Sequence, residues 1–251
     1  MIDVSTDEPL AVLADIHGNI WALEAVLADL RRRGIARIVD LGDSLNGPLE
    51  PRATAERLMG EQIESLCGND DRVLFPESGQ ASPRLERVRR ALTAAQMAWL
   101  QAQPATRVLD GQVLLCHGTP SSDNVYLLEE PLPERSSVLK ETRAIAQALG
   151  QVTQSVICCG HSHVPRAVYL PSGQLIVNPG SVGLPAYTMD EPFPYKMESG
   201  SPHAKYAILS NVQGHWAVSH VAVPYDWQQA AACARAHDRP DWAAWLESGR
   251  A

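Results

Sequence analysis

The opening seventy residues alternate between short apolar runs and amphipathic stretches, and this alternation restricts the fold more than any other feature. "LAVLAD" (10–15), "IARIVDLGD" (35–43) and "IESLCGND" (63–70) read as buried strands. Between them, "NIWALEAVLADLRRRG" (19–34) places Ile20, Leu23, Val26, Leu27 and Leu30 on one helical face and stops at Gly34. "PRATAERLMG" (51–60) reads as a helix that opens on proline, whose missing N–H costs nothing there. Strand, helix, strand, helix, strand at this spacing predicts βαβ units and a parallel sheet.

Farther along, Ser82 and Thr93 stand where helix N-caps are expected. "ATRVLDGQVLLCHG" (105–118) predicts a hairpin about Asp110-Gly111, "PERSSVLKETRAIAQALG" (133–150) a helix, and "SVICCG" (155–160) a strand. "RAVYLPSGQLIVNPG" (166–180) reads as a second hairpin and residues 183–203 as one long loop. "KYAILSNVQGHWAVSHVAVPYD" (205–226) closes the pattern as a last hairpin before two short helices. With no repeat or linker, residues 1–251 are expected to form a single domain.

The formal net charge of −8 argues against a nucleic-acid or anionic-membrane partner, since phosphate binding needs a basic stripe. The one basic run, Arg31-Arg32-Arg33, closes a helix and complements its dipole. Five cysteines, at 67, 116, 158, 159 and 233, form no CxxC pair, and Cys67, Cys116 and Cys158, at the ends of expected strands, read as small buried hydrophobes. With no signal-like N-terminus and no apolar run long enough to span a membrane, a reduced cytoplasmic protein is expected.

Several strands end in groups of metal-ligand type: Asp15 and His17, Asp43, Asn69 and Asp70, His117, and His161 with His163. Ligands sit outside the carboxyl ends of strands in open α/β sheets, so these groups should converge. Two aspartates (Asp15, Asp43), four imidazoles and the Asn69 amide make seven N/O donors without sulfur. That is too many for one ion with open positions, and it suits two sharing a carboxylate, of the Mn2+, Fe or Zn2+ type. Such pairs activate water and clamp an in-line phosphoryl displacement. His161 and His163 are expected on one side of an extended segment, alternating with Ser162.

Together "DxHGN", "GDxxxGP", "GN", "CHGTP", "GHSHVP" and "NPGSVGLP" resemble the calcineurin-like metallophosphoesterase superfamily, in particular its bacterial YfcE-like branch. The resemblance implies a four-layer α/β/β/α sandwich of two mixed sheets flanked by helices. It also implies a dinuclear site, with Mn2+ first and Fe or Zn2+ as alternatives. Asp15, His17, Asp43 and His163 would hold one ion; Asp43 would bridge to the second, completed by Asn69, His117 and His161. Water held between the ions would attack a small phosphorylated substrate with no covalent intermediate. Many members carry a histidine after "GN" that protonates the leaving group; here Asp70 replaces it and Asp71 takes the acidic position. Asp70 and His117 are the candidate catalytic groups. Asp70 could hold water, do structural work, or act as an acid. If it is not an acid, leaving groups that need little protonation are favoured. Asn19 is either the N-cap of the first helix or a substrate contact, and Asn178 and Ser181 either close a tight turn after a strand or contact substrate through an anion-binding nest. Asp123, Tyr126, Tyr187 and Tyr195 are candidates for substrate selection. A non-catalytic scaffold on the same fold is the alternative, set against a ligand set with no member missing.

Overall fold

The computed structural model describes residues 8–133 and 136–251. Leu10–Leu13 (β1) leads into Ile20–Arg33 (α1), Arg37–Asp40 (β2), Pro51–Glu61 (α2), Glu64–Ser65 (β3) and the single turn Asn69–Arg72 (α3). Pro83–Ala91 (α4) and Ala94–Gln101 (α5) begin at Ser82 and Thr93, whose side chains accept from Leu85 N and Gln96 N. Thr106–Leu109 (β4) and Val113–Cys116 (β5) follow as a hairpin, then Glu129–Pro131 (β6), Ser137–Leu139 (β7), Thr142–Leu149 (α6) and Val156–Cys158 (β8). Arg166–Tyr169 (β9), Leu175–Asn178 (β10), Ala186–Met189 (β11), Tyr195–Glu198 (β12), Ala204–Val212 (β13) and His215–Val223 (β14) precede Trp227–Ala236 (α7) and Pro240–Ser248 (α8).

Two five-stranded mixed sheets result, ordered β14-β13-β1-β2-β3 and β4-β5-β8-β10-β9. In the first, β1, β2 and β3 run parallel; in the second, β5, β8 and β10 do. Their strands are apolar on both faces because both faces are covered. Along β1, Leu10 and Val12 point into a slab between the sheets, where they meet Val113, Leu115, Val156, Cys158 and Val177. Ala11 and Leu13 point the other way, against Leu23, Val26, Leu27 and Leu30 of α1. The adjacent Cys158 and Cys159 likewise divide, one into the slab and the other toward Ile145 and Leu149 of α6. The order is helix, sheet, sheet, helix, the expected four layers. Each fully buried leucine or valine contributes about 1.5–3 kcal/mol. Gly34 ends α1 in the left-handed region (φ 69°) and sends two N–H bonds back to the helix. The arginines before it are ion-paired, Arg31 to Glu61 and both Arg32 and Arg33 to Asp29.

Three expectations need correction. The helix expected over 133–150 forms only from Thr142; Ser137–Leu139 is a strand paired with Glu129–Pro131, and residues 134–135 lie outside the described residues. Residues 183–203 contain a hairpin, β11 against β12. Tyr195 and Met197 are buried while Lys196 and Glu198 are half-exposed, a strand alternation that the surrounding prolines obscure. Finally, β3 spans only two residues. The β11–β12 hairpin, α7 and α8 share a fourth core of Tyr187, Tyr195, Met197, Trp242, Trp245 and Leu246. No helix among the described residues is long and apolar enough to cross a membrane.

Candidate metal centre

The loops that leave β1, β2, β5 and β8 are tied together by backbone bonds. Asp15 N donates to Gly42 O, His17 N to Asp43 O and Gly18 N to Ser44 O. Across the slab, Gly160 N donates to His117 O. Asp15 (φ 57°), His17 (φ 51°), Asp43 (φ 56°), His161 (φ 68°) and His163 (φ 60°) all occupy the left-handed region, which L side chains rarely adopt. Such strain gathers where a site over-determines the backbone. It also corrects the extended reading of His161 and His163, which sit on a tight bend that sends the two rings to different places.

One group of donors is Asp15, His17 and His163; another is Asp43, His117 and His161, with ligand atoms within 4.8 Å of one another in each. Asp43 also groups with His17 and Asp70, so its carboxylate reaches both sides. The Asn69 Oδ1 lies 3.0 Å from His117 Nε2. The structure thus brings together all seven residues singled out as ligands.

The hydrogen bonds outside the cluster fix what points into it. His17 Nδ1 lies 2.8 Å from Asn46 O, His163 Nδ1 2.6 Å from Leu184 O and His117 Nδ1 3.0 Å from Leu41 O. A carbonyl only accepts, so each Nδ1 carries a proton and each ring turns its Nε2 inward, free to bind a cation once no proton occupies it. Two of these, on His17 and His163, face each other at 3.3 Å. The third, on His117, faces Asp43 Oδ2 at 3.1 Å and the Asn69 oxygen. Turning the Asn69 amide over would let its nitrogen donate to His117 and to His161 Nδ1. With either orientation of that amide, the His17 and His163 Nε2 atoms still face each other, an arrangement that positive charge between them would satisfy. The all-N/O set fits divalent cations of the Mn2+, Fe or Zn2+ class.

Before any cation is counted, protons serve instead. Burial alone would lower the His117 imidazole, but the Asp43 and Asp15 carboxylates push it up to about 10. Burial and the His117 charge push His161 down to about 3. Burial would raise the Asp15 carboxyl, yet His163 and His117 hold it below its ordinary value. Cations must displace the His117 proton. Adding Zn2+ to chelator-treated protein at roughly pH 7.5 should release about one proton per chain from that ring, read by calorimetry in buffers of different ionisation enthalpy. The sign for stability follows from a raised folded-state value. The His117 contribution is full below the unfolded value of about 6.5 and is lost as pH rises through about 10. Melts of the chelated protein should therefore fall across that window.

Asp70 does not point away from the site: its Oδ2 lies 3.8 Å from His17 Nδ1, and its N–H donates to Asp43 Oδ1 at 2.7 Å. Burial, Asp43 and Asp71 push its carboxyl well above the usual range; the side chain is 37% exposed, so water screens part of that push. Asp71 is buried and accepts from Ser44 N, Leu45 N and Gly68 N, which clamps the loop bearing Asp43. Asp40, unsuspected in the sequence, is a second buried carboxyl; burial pushes it to about 8, and Ser44 Oγ donates to it.

Of the two readings open for Asn19 and for the Asn178–Ser181 segment, the structure favours the helix cap and the tight turn. Asn19 is fully buried; it caps α1 through Ala22 N and donates to Gly183 O and Tyr225 Oη. Asn178 donates to Gly160 O and accepts from Gly180 N, and Ser181 Oγ donates to Asp15 O while accepting from Leu184 N. The N–H groups of Val182 and Gly183 go to Ala14 O and Asp15 O, so the segment ties down the ligand loop and leaves no nest for an anion. Asp123 is likewise engaged, bidentate with Arg72.

A cavity of about 670 Å3 opens over the cluster. Tyr126, Tyr187, Tyr195, Phe193, Trp242 and Trp245 wall it. Tyr126 stacks on the His161 ring at 4.6 Å, Tyr187 packs on His163 at 4.7 Å, and Trp242 meets His17 edge-on at 5.8 Å. Tyr187 Oη donates to His161 O. The tyrosines thus brace metal-ligand candidates as well as lining the crevice.

Known proteins share this fold. An uncharacterized protein of Methanocaldococcus jannaschii, MJ0912, is 24% identical over 93% of this chain and 94% of its own. A metallophosphoesterase from Sphaerobacter thermophilus superposes with a TM-score of 0.74 at 24% identity, over 97% of this chain and 99% of that one. The phosphoesterase YfcE from E. coli gives 0.44 at 22% identity, over 86% and 100%. Residues 9–195 match the calcineurin-like phosphoesterase superfamily domain. With that match running through every strand end that carries a donor, the chain belongs to the calcineurin-like phosphoesterase superfamily.

Proposed function

We propose that this chain hydrolyses phosphate esters with two divalent cations, Mn2+ first, acting on a small phosphorylated or nucleotide-type substrate. The observation that carries the reading is the set of carbonyl-locked imidazoles whose inward Nε2 atoms converge with two carboxylates. When bound, the cations would polarise a phosphoryl oxygen and lower the pKa of water. The chain's own residues do the rest. Asp15, His17, Asp43 and His163 would hold one cation, and Asp43, shared between the two, would hold the other with Asn69, His117 and His161. The carbonyls of Asn46, Leu41 and Leu184 orient three of the rings. The aromatic wall keeps bulk water from the phosphate, and Asp70 stands beside it where an imidazole donor would otherwise be.

Hydrolysis of bis(p-nitrophenyl) phosphate by chelated protein should be negligible and should return with Mn2+. A chain that binds Mn2+ through these residues and hydrolyses no phosphoester would instead be a scaffold. A carboxylate beside cations is a poor acid, so turnover should fall steeply as the leaving group's pKa rises. Asp70→His should help the poorest leaving groups most. A flat dependence would refute this account of Asp70.

A further inference from the structure

A second cavity, of about 330 Å3, shares Asp70, Arg239 and Trp242 with the first and so continues the same crevice. Its lining includes Arg84, Arg87 and His237. With Arg239 on the shared boundary, it gathers three guanidinium groups in a chain of net charge −8. Three acids stand around it. Glu50 acts on Arg87 without forming an ion pair with it. Asp241 is taken by Arg239 at 2.6 Å, and Asp70 belongs to the boundary with the metal cluster. Glu86, between the two arginines in sequence, turns instead to Arg89 at 2.6 Å. Arg87 donates to Gly47 O at 2.5 Å, and neither it nor Arg84 has a carboxylate partner among the described residues. Burial lowers the Arg87 guanidinium from its ordinary range, and the nearby Glu50 offsets only part of that. The loop that Arg87 grips is the one whose Asn46 carbonyl orients His17, which places this cavity directly behind the metal cluster.

Guanidinium groups favour phosphate because their planar fork offers paired donors. We infer that Arg84 and Arg87 form an anion subsite that takes a second phosphate of the substrate, beyond the one at the metal cluster. Assigning that phosphate to the substrate rests on the hydrolase reading; the anion site itself does not.

Two measurements separate these claims. In the first, chelator-treated full-length protein is titrated with inorganic tripolyphosphate by calorimetry at low salt. Wild type should bind, and Arg84→Glu should weaken binding by about tenfold or more, the scale of one charge-assisted pair. The Arg84 side chain is exposed and makes no hydrogen bond or ion pair among the described residues, so the variant should fold; Arg84→Gln gives a milder loss in the same direction. Equal binding by wild type and both variants, or none by wild type, overturns the subsite. In the second, the Mn2+-loaded enzyme is given an adenine dinucleotide with and without a 5′-phosphate. Arg84→Glu should lower kcat/KM about tenfold for the phosphorylated form and leave the other within roughly twofold. Parallel changes in both, with tripolyphosphate binding lost, overturn the substrate attribution and assign the site to free phosphate. If neither dinucleotide nor bis(p-nitrophenyl) phosphate is cleaved, the hydrolase reading fails, and the first measurement still decides the anion site.

Discussion

Asp43→Asn is expected to lower hydrolysis of bis(p-nitrophenyl) phosphate by about 10³-fold, because several kcal/mol of transition-state stabilisation come from the cations it helps to hold. The substitution is nearly isosteric, and asparagine tolerates the left-handed backbone found there (φ 56°), so the fold should persist. Metal content by mass spectrometry should drop from about two ions per chain to one or fewer. In chelated protein, the His117 ring loses the carboxylate at 3.1 Å, and its titration should move back toward the ordinary imidazole range of about 6.5, followed by NMR. Wild-type activity with full metal content would remove Asp43 from the bridging role.

Gly183→Ala should produce the largest loss of stability. A Cβ at this position would land on the carbonyl of Ile16 and close against Asn19 Cβ. The first is backbone, so no side chain can swing aside. Gly183 N also donates to Asp15 O, and Gly183 O accepts from the Asn19 amide. Relief requires moving the Asp15–His17 peptide, which carries two donors of the cluster. A cost of about 3–5 kcal/mol is expected, or roughly 6–20 °C in Tm. Metal affinity should fall with it. A variant that melts with wild type would show that the 180–184 segment is free to shift.

The donors were legible because each follows an apolar run that could only be a buried strand. Leu10 to Leu13 and Val156 to Cys158 announce their ends, and the polar residue after each end has little else to do. The left-handed backbone of Asp15, Asp43 and His161 was not legible, since it is imposed by neighbouring loops and has no local cue. Asn19, Asn178 and Ser181 leave two readings open in sequence for a related reason. Their polar atoms looked available in sequence, but in three dimensions they satisfy buried backbone groups that would otherwise be orphaned. Ser137–Leu139 became a strand because Glu129–Pro131 lies alongside it, a partner that helical periodicity cannot reveal. Arg84 and Arg87 follow the Ser82 cap as ordinary helix residues in sequence; that neither has an ion-pair partner among the described residues is visible only in three dimensions.

Each donor group draws on both sheets. Asp15 and His17 leave β1 and are joined by His163 from beyond β8; Asp43 leaves β2 and is joined by His117 and His161, which follow β5 and β8. Any cation seated there rivets one half of the sandwich to the other, at the rim of the apolar slab. The hold on the ions is therefore a gauge of the gap between the sheets. An added methylene at Val12 or Val177, remote from the chemistry, would wedge that gap and be felt first as ions slipping away.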